Sequence, residues 1–379
     1  WLGEEHADLA DAVVRFAQRQ PGASLQGRAL LAGSVSFILF LLRQLAGPSD
    51  DARAHFDAMP KSVHVPLFWD DQALAELQAS DLVRHISERR QLVHAVFSEV
   101  VQPSSLGDEI SASNFAFAWS LLLSRATSDL KNNMPFAIVP FLDMFNHSVH
   151  DSVPGFCQHW FDHAKQEFVV APVRNVQGDD EQLFISYGQL GNAELLRLYG
   201  FVDPNNPSDS VKVQVTPNTT ATCFRTGDLE VNGSDAEPAD VQRAVRAKLD
   251  LYGTTIEEDR TQLEALLSGA SDSSSSKLFQ AMCVRLGEKE SRRNDYSADG
   301  RDRNDGLQRA LERMPSTTST EARLAGIDMT RQSQAVERNP SESGVELLLS
   351  SKVRSMLCFR GRRRILCCLG NASLDRSDV

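Results

Sequence analysis

The 379-residue chain lacks the glycine motifs of the commonest nucleotide-binding and hydrolase folds. None of its 22 glycines stands two positions from another, so there is no G-x-G-x-x-G turn. The patterns G-x-x-x-x-G-K and G-x-S-x-G are absent as well. The sequence therefore gives no support to a Rossmann dinucleotide site, a P-loop or the nucleophile elbow of an α/β-hydrolase.

Cysteine and positive charge are also scarce. The six cysteines are scattered and form no C-x-x-C pair, which is typical of reduced intracellular thiols rather than of a disulfide framework. Lys and Arg number 39 against 51 Asp and Glu, a formal net charge of −12. Because nucleic-acid binding needs a basic surface that displaces counterions, we do not expect nucleic acid to be the main partner.

No apolar run reaches the length of a membrane span. The longest, residues 29–42, is interrupted by Gly33, Ser34 and Ser36 and falls short of the ~18 residues that a span needs. We interpret it as a buried core helix and predict no membrane partner. The chain starts at Trp1 without a basic-then-apolar leader, so we expect an intracellular protein, with cytoplasm, nucleus and plastid not distinguished.

The pattern of apolar residues predicts an α+β protein. Spacings of three and four over 25–101 indicate a helical hairpin or small bundle, and 113–124 predicts a helix that carries Phe117, Leu121 and Arg125 on neighbouring turns. Strands are predicted at 137–142, 156–161, 167–171, 182–187 and 211–215. Helices are predicted at 192–199, 240–251 and 257–267, whereas 291–379 is polar and charged and is predicted to be mostly disordered.

Two short polar segments carry most of the chemical information. The first is Asp-Met-Phe-Asn-His-Ser at 143–148, and the second is Phe-Ile-Ser-Tyr-Gly at 184–188, followed by Asn-Ala-Glu at 192–194 and Tyr-Gly-Phe at 199–201. Taken singly, Asn146 and His147 could form an ordinary turn, and Tyr187 could be a strand aromatic with its hydroxyl at the rim.

A metal site is a competing interpretation. Cys157, His159 and His163 are close in sequence and could suit zinc. They fall on a strand and its turn, where only Cys157 and His159 share a face, so a polar hairpin explains them better. A metal hydrolase that uses His147, His159 and His163 is kept as an alternative.

Taken together, these segments resemble the SET-domain methyltransferases, in the subgroup of the plant Rubisco large-subunit lysine methyltransferase and the actin-histidine methyltransferase. Further similarity lies in Pro-Leu-Phe-Trp at 66–69, Arg-Arg at 89–90, residues 117–125, Val-Pro at 139–140, 252–259 and 284–289. The resemblance implies a SET domain over 1–203, with a helical insert at about 29–101 and the C-terminal SET core at about 113–203. A shortened substrate-binding domain would span 204–290, before the tail at 291–379. The family's glycine-containing cofactor segment is not recognisable in 1–28, so we expect the N-terminal part of the SET core to be missing.

The resemblance implies that the Asn-His segment passes under the loop around Tyr187 and Gly188, which brings the two polar segments together. It also implies the cofactor, S-adenosylmethionine, and a role for each matching residue. Tyr187 would lie next to the transferring methyl group, and Tyr199 and Phe201 would wall the channel for the acceptor nitrogen. The implied cofactor-binding residues are Arg125, which would pair with the cofactor's carboxylate, Asp143, Asn146, His147, Asn192 and Ala193.

The predicted activity is methylation of a protein lysine side chain, or of histidine as the second choice, by a monomer. Methyl transfer from a sulfonium is an in-line displacement, so the enzyme's main task is to hold the reacting atoms in line. A lysine, with a reference pKa of about 10.4, must first lose a proton, which a desolvated aromatic channel and a nearby sulfonium favour. Tyr187 is then an orienting group rather than a base. The alternative is a SET-like protein-binding module that lacks turnover because its first cofactor segment is missing.

Overall fold

The computed structural model describes residues 6–129, 134–162, 164–165, 167–176, 181–225, 228–233, 235–269, 277–294, 345–348 and 364–369. The protein is of the α+β class, as predicted. It divides into two compact units that alternate along the chain. The first unit comprises Trp1–Ser62, Val96–Gln189 and Arg323–Val379, and the second comprises Val63–Ala95 and Leu190–Ala322. The domain boundaries implied by the resemblance stay a prediction.

The helices and strands follow in chain order. The helices are α1 (Ala7–Gln18), α2 (Leu25–Ala46), α3 (Asp50–Ala58), α4 (Asp71–Ala75), α5 (Asp81–Val96), α6 (Ala112–Arg125), α7 (Asn192–Tyr199), α8 (Pro238–Leu249), α9 (Ile256–Gly269) and α10 (Lys277–Asn294). The strands are β1 (Thr127–Asp129), β2 (Met134–Ala137), β3 (Asn146–His147), β4 (Cys157–Asp162), β5 (Glu167–Pro172), β6 (Phe184–Ile185), β7 (Ser210–Thr216), β8 (Thr219–Phe224), β9 (Leu229–Asn232), β10 (Val345–Leu348) and β11 (Arg364–Leu369).

Helix α2 is the long apolar helix of the first unit. Ser24 caps it by accepting a hydrogen bond from the Gly27 N–H group, as N-cap serines do. One face is buried through residues such as Val35, Ile38 and Leu39, and the helix packs against α1, α6 and β2. Of the helices described, it alone is long and apolar enough to cross a membrane by length and composition. The absence of a membrane partner stays a prediction.

The sheets of the first unit support the two polar segments. Strands β4 and β5 form the predicted antiparallel hairpin, β11 pairs in parallel with β5, and β10 pairs with β11. Strands β3 and β6 form a short parallel pair. The hydrophobic core beneath them comprises Val139, Leu142, Cys157, Phe168, Val170 and Ile185. The prediction of disorder over 291–379 is wrong at its start, because 291–294 form the last turn of α10, where Ser291 and Arg292 are buried, and the structure also places β10 and β11 in this stretch. The rest of the predicted tail lies outside the described residues.

One predicted strand is wrong in its extent. The apolar run at 137–142 predicts extended chain, but β2 ends at Ala137 and a 3-10 helix occupies Leu142–Met144. Pro140 has no N–H group for a strand ladder, and Phe141 has a positive φ of 69°, which turns the chain. Similarly, the strand predicted at 182–187 is limited to Phe184–Ile185.

The second unit has two cores. Strands β7, β8 and β9 form an antiparallel sheet, and α8 covers it with Val241 and Val245. The other core joins α4 and α5 to α7 and α10 through Trp69, Leu77, Leu82, Ile86, Leu196, Ala281 and Val284.

Candidate functional site

The two polar segments meet in the first unit, as the resemblance requires. Pairing of β3 with β6 sets Asn146 opposite Phe184 and His147 opposite Ile185. The imidazole of His147 therefore stacks on the ring of Tyr187, with centroids 5.0 Å apart and planes inclined by 23°. The backbone N–H of Tyr187 donates to His147 Nδ1 at 3.0 Å. Because Nδ1 accepts, the ring proton of the neutral imidazole resides on Nε2.

The hydroxyl of Tyr187 is fixed by a second contact to the same segment. It donates to the carbonyl oxygen of Phe145 at 2.6 Å. Burial raises the pKa of Tyr187, so the phenol stays protonated at neutral pH. Gly188 follows with a φ of +110°, a conformation that a side chain strongly disfavours, so the chain turns away immediately after the tyrosine.

Arg125 and Asp143 form a buried ion pair next to these segments. Arg125 lies in the last turn of α6, and its Nη1 donates to the Asp143 carbonyl oxygen at 2.7 Å and lies 3.4 Å from Asp143 Oδ2. The Asp143 side chain has no exposed surface. Burial raises the pKa of Asp143 to about 6, although the Arg125 charge opposes this shift. The buried Oδ1 atom of Asp143 has no hydrogen-bond partner among the described residues.

A strained turn positions Asp143. Phe141, with φ at 69°, begins the 3-10 helix Leu142–Met144, and the Asp143 N–H donates to the Val139 carbonyl at 3.1 Å. The turn buries Leu142 and leaves the Phe141 side chain 51% exposed. Non-glycine residues with positive φ cost free energy and are concentrated at functional sites.

His55, on α3, completes this cluster and was not predicted from the sequence. Its Nε2 lies 3.7 Å from Asp143 Oδ2, and its side chain is only 8% exposed. Burial, followed by the Arg125 charge, lowers the pKa of His55 to about 4, so the imidazole is neutral at pH 7 and the contact is not an ion pair. No motif surrounds His55 in the sequence, and only its place within the predicted helical insert could have drawn attention to it.

The other predicted site residues belong to the second unit. Asn192 is buried: its backbone N–H and side-chain amide donate to the Asp209 carboxylate at 2.9 and 3.1 Å, and its side-chain oxygen accepts from the Asp203 N–H at 2.9 Å. Ala193 packs against the core around Trp69. The roles of Asn192 and Ala193 at a cofactor stay predictions.

Tyr199 and Phe201 lie side by side in the second unit, with ring centroids 6.2 Å apart and planes inclined by 49°. Gly200 between them has a φ of +80° and ends α7 in the left-handed conformation. Their role at an acceptor nitrogen stays a prediction.

The part of the chain that the structure describes does not support the metal interpretation. No three His, Cys, Asp or Glu side chains there lie close enough together to hold a metal ion. His159 is on β4, where burial lowers its pKa, and His163 lies outside the described residues.

Comparison with known proteins confirms the resemblance. No protein-family model matches the chain. It is 27% identical over 196 residues to the chloroplastic Rubisco large subunit N-methyltransferase of Nicotiana tabacum, covering 46% of this chain and 38% of that protein. It is 23% identical over 195 residues to the actin-histidine N-methyltransferase of Canis lupus familiaris, covering 48% of this chain and 32% of that protein. The chain thus spans less than half the length of these relatives.

A solved structure establishes the fold. The SET domain of LSMT, in a crystal structure with lysine and AdoHcy bound, matches with a TM-score of 0.52 and 22% identity over 80% of each chain. The protein therefore has a SET-domain fold.

Proposed function

We propose that this chain is an S-adenosylmethionine-dependent protein methyltransferase that transfers a methyl group to a lysine side chain, with histidine as the second choice of acceptor. One observation carries the proposal. Within the first unit, the stacked pair of His147 and Tyr187 lies beside the buried pair of Arg125 and Asp143, whose charges both act on the Tyr187 hydroxyl.

The charges of this cluster fit the amino-acid portion of the cofactor. That portion carries a carboxylate and an ammonium group. The guanidinium of Arg125 has five N–H donors, and its contacts within the described residues use only Nη1, so donors remain for a carboxylate. The buried, unpartnered Oδ1 of Asp143 is an acceptor that suits an ammonium group. When bound, S-adenosylmethionine supplies the methyl group and the sulfonium leaving group.

Tyr187 orients the reacting groups and does not abstract a proton. Its raised pKa disfavours the phenolate, and its hydroxyl hydrogen is already donated to Phe145. The phenol oxygen keeps lone pairs that can accept a weak C–H contact from a polarised methyl group. The acceptor nitrogen then loses its proton to solvent, helped by burial next to positive charge.

The predicted partners follow from this activity. We propose a protein substrate, held by a monomeric intracellular enzyme without nucleic acid or membrane as main partner. The name of a relative from Arabidopsis thaliana, the chloroplastic fructose-bisphosphate aldolase-lysine N-methyltransferase, favours lysine as the acceptor, and that of the canine relative keeps histidine as the second choice.

The experiment is a calorimetric titration of the chain with S-adenosylmethionine, followed by transfer of tritiated methyl groups to proteins of a whole-cell extract. The matched variant is Arg125→Lys, which keeps the charge and removes the planar fork. We expect saturable binding and labelled protein for the wild type, and at least about tenfold weaker binding for the variant. Binding without transfer would favour the protein-binding module, and stoichiometric bound metal would favour the hydrolase.

A further inference from the structure

We propose that His55 is a positioning residue for the cofactor site, which acts through Asp143 to hold the guanidinium of Arg125 in place. This inference rests on the proposed function. The inference assigns a role to the helical insert, because His55 lies on α3. None of the sequence segments that carry the resemblance includes His55.

The geometry is a row of three side chains. His55 Nε2 lies 3.7 Å from Asp143 Oδ2, and the same oxygen lies 3.4 Å from Arg125 Nη1. The histidine and the aspartate are almost wholly buried, and the arginine is 20% exposed. One end of the row is therefore closed by the histidine and the other end reaches solvent. Removing the imidazole would leave a void or an apolar wall next to a buried carboxylate.

The row also has a defined electrostatic arrangement. The titratable groups that act on Asp143 or share its surroundings are Arg125 from α6, His55 from α3 and Tyr187 after β6. At pH 7 His55 and Tyr187 are neutral, so Arg125 carries the full positive charge among these three. Asp143, whose pKa is raised to about 6, is mostly ionised there and can orient the guanidinium.

Acid should disturb this arrangement. The proton that enters near pH 6 binds to Asp143, because the pKa of that carboxyl is raised to about 6, whereas the pKa of His55 is lowered to about 4. Protonation neutralises Asp143, and a neutral carboxyl holds the Arg125 guanidinium less firmly than a carboxylate does. Affinity for the cofactor should therefore fall about tenfold per pH unit below about pH 6, as a single-proton linkage requires.

The two informative variants shift this pH dependence in opposite directions. His55→Leu surrounds Asp143 with apolar atoms. It should therefore raise the midpoint pH, below which cofactor affinity falls, and weaken cofactor binding at pH 7. His55→Gln offers an amide N–H to the carboxylate, so it should lower the midpoint and retain binding at pH 7. A merely structural histidine would not give shifts of opposite sign.

The experiment is calorimetric titration with S-adenosylmethionine between pH 5 and pH 8, with melting temperatures measured for every protein. His150→Gln is the control, because His150 is an exposed histidine of the same unit. We expect the control to follow the wild type. Midpoints that move in the same direction, or not at all, in the two His55 variants would overturn the inference while the proposed function stands. Absence of binding by the wild type at every pH would overturn both. If His55→Leu does not fold, the direction of the His55→Gln shift decides.

Discussion

Replacing Tyr187 by phenylalanine removes one oxygen atom from the centre of the candidate site. The ring keeps its stacking on His147, and the backbone N–H keeps its hydrogen bond to the imidazole, because neither involves the hydroxyl. The hydrogen bond from the hydroxyl to the Phe145 carbonyl, 2.6 Å long, can no longer form. The substitution therefore tests the oxygen alone.

The expected cost has a stability part and a rate part. The Phe145 carbonyl loses its donor in a half-buried position, which should lower the free energy of unfolding by about 1–2 kcal/mol. If the oxygen also contacts the methyl group in the transition state, kcat should fall by a further factor of roughly 10²–10³, the size of loss typical when one preorganised polar group is removed. Binding of S-adenosylmethionine should change less than about tenfold, because the proposed ion-pairing groups remain in place.

Tyr252→Phe is the matched control for this prediction. Its hydroxyl is also buried, donates to Glu288 and accepts from Arg292, but it belongs to the second unit and to no candidate site. Initial rates of tritiated methyl transfer and urea unfolding curves should be measured for both variants. A Tyr187→Phe enzyme with kcat within about twofold of the wild type would refute the orienting role. A comparable loss of kcat in Tyr252→Phe would show that the effect is not specific to the hydroxyl of Tyr187.

Three further predictions concern the second unit. Gly200→Ala should lower the melting temperature more than Gly22→Ala, because both glycines have positive φ but a Cβ at Gly200 would lie 2.9 Å from the His64 carbonyl oxygen, whereas nothing lies within 4 Å at Gly22. Asp259→Ala should cost about 3–5 kcal/mol in urea unfolding, since this fully buried carboxylate pairs with an arginine and a lysine of α10 at 2.9 and 2.6 Å. Burial raises the pKa of Asp209 to about 7, so the native state holds a proton that the unfolded chain loses near pH 4. Its stabilising contribution, measured against Asp209→Asn, should be complete below about pH 4 and disappear as the pH rises through about 7.

Each of these predictions has a result that would contradict it. Equal melting temperatures for the two alanine variants would show that the His64 carbonyl can move away from the added Cβ atom without loss of stability. Glu88→Ala is the surface control for Asp259, since Glu88 is exposed and pairs with Arg84 at 2.7 Å within one helix. Similar losses in both would argue against a buried network. A difference between the wild type and Asp209→Asn that does not change from pH 4 to pH 7 would contradict the raised pKa.

Periodicity predicts the helices from α2 to α9, because their apolar spacing and their caps are local, whereas it predicts neither α1 nor α10. The predicted helix over 113–124 corresponds to α6, and Gly200 ends α7 as expected. The predicted strand at 137–142 is wrong because an apolar run alone does not distinguish a strand from a turn that buries Leu142 and points Phe141 outward.

The sequence predicts those parts of the site that match a known motif. It does not predict contacts that depend only on how distant segments pack in three dimensions. The meeting of His147 with Tyr187 follows from the resemblance, and the structure shows it. The contact of His55 with Asp143 depends on where α3 lies, and no local pattern encodes that. The same holds for the ion pairs of Asp259, which depend on how the successive helices α9 and α10 pack against each other.

The alternation of the two units along the chain has a consequence for how the protein matures on the ribosome. Residues on α4 and α5 emerge early, yet their buried neighbours Leu196, Ala281 and Val284 are synthesised much later. The hydrogen bond between Ser80 and Glu288 spans 208 residues. These helices must therefore wait, partly uncovered, until α10 has left the exit tunnel, and closing such long loops slows folding. A nascent chain halted before residue 277 should bind chaperones that recognise exposed apolar segments, and one long enough for residue 294 to have cleared the exit tunnel should release them.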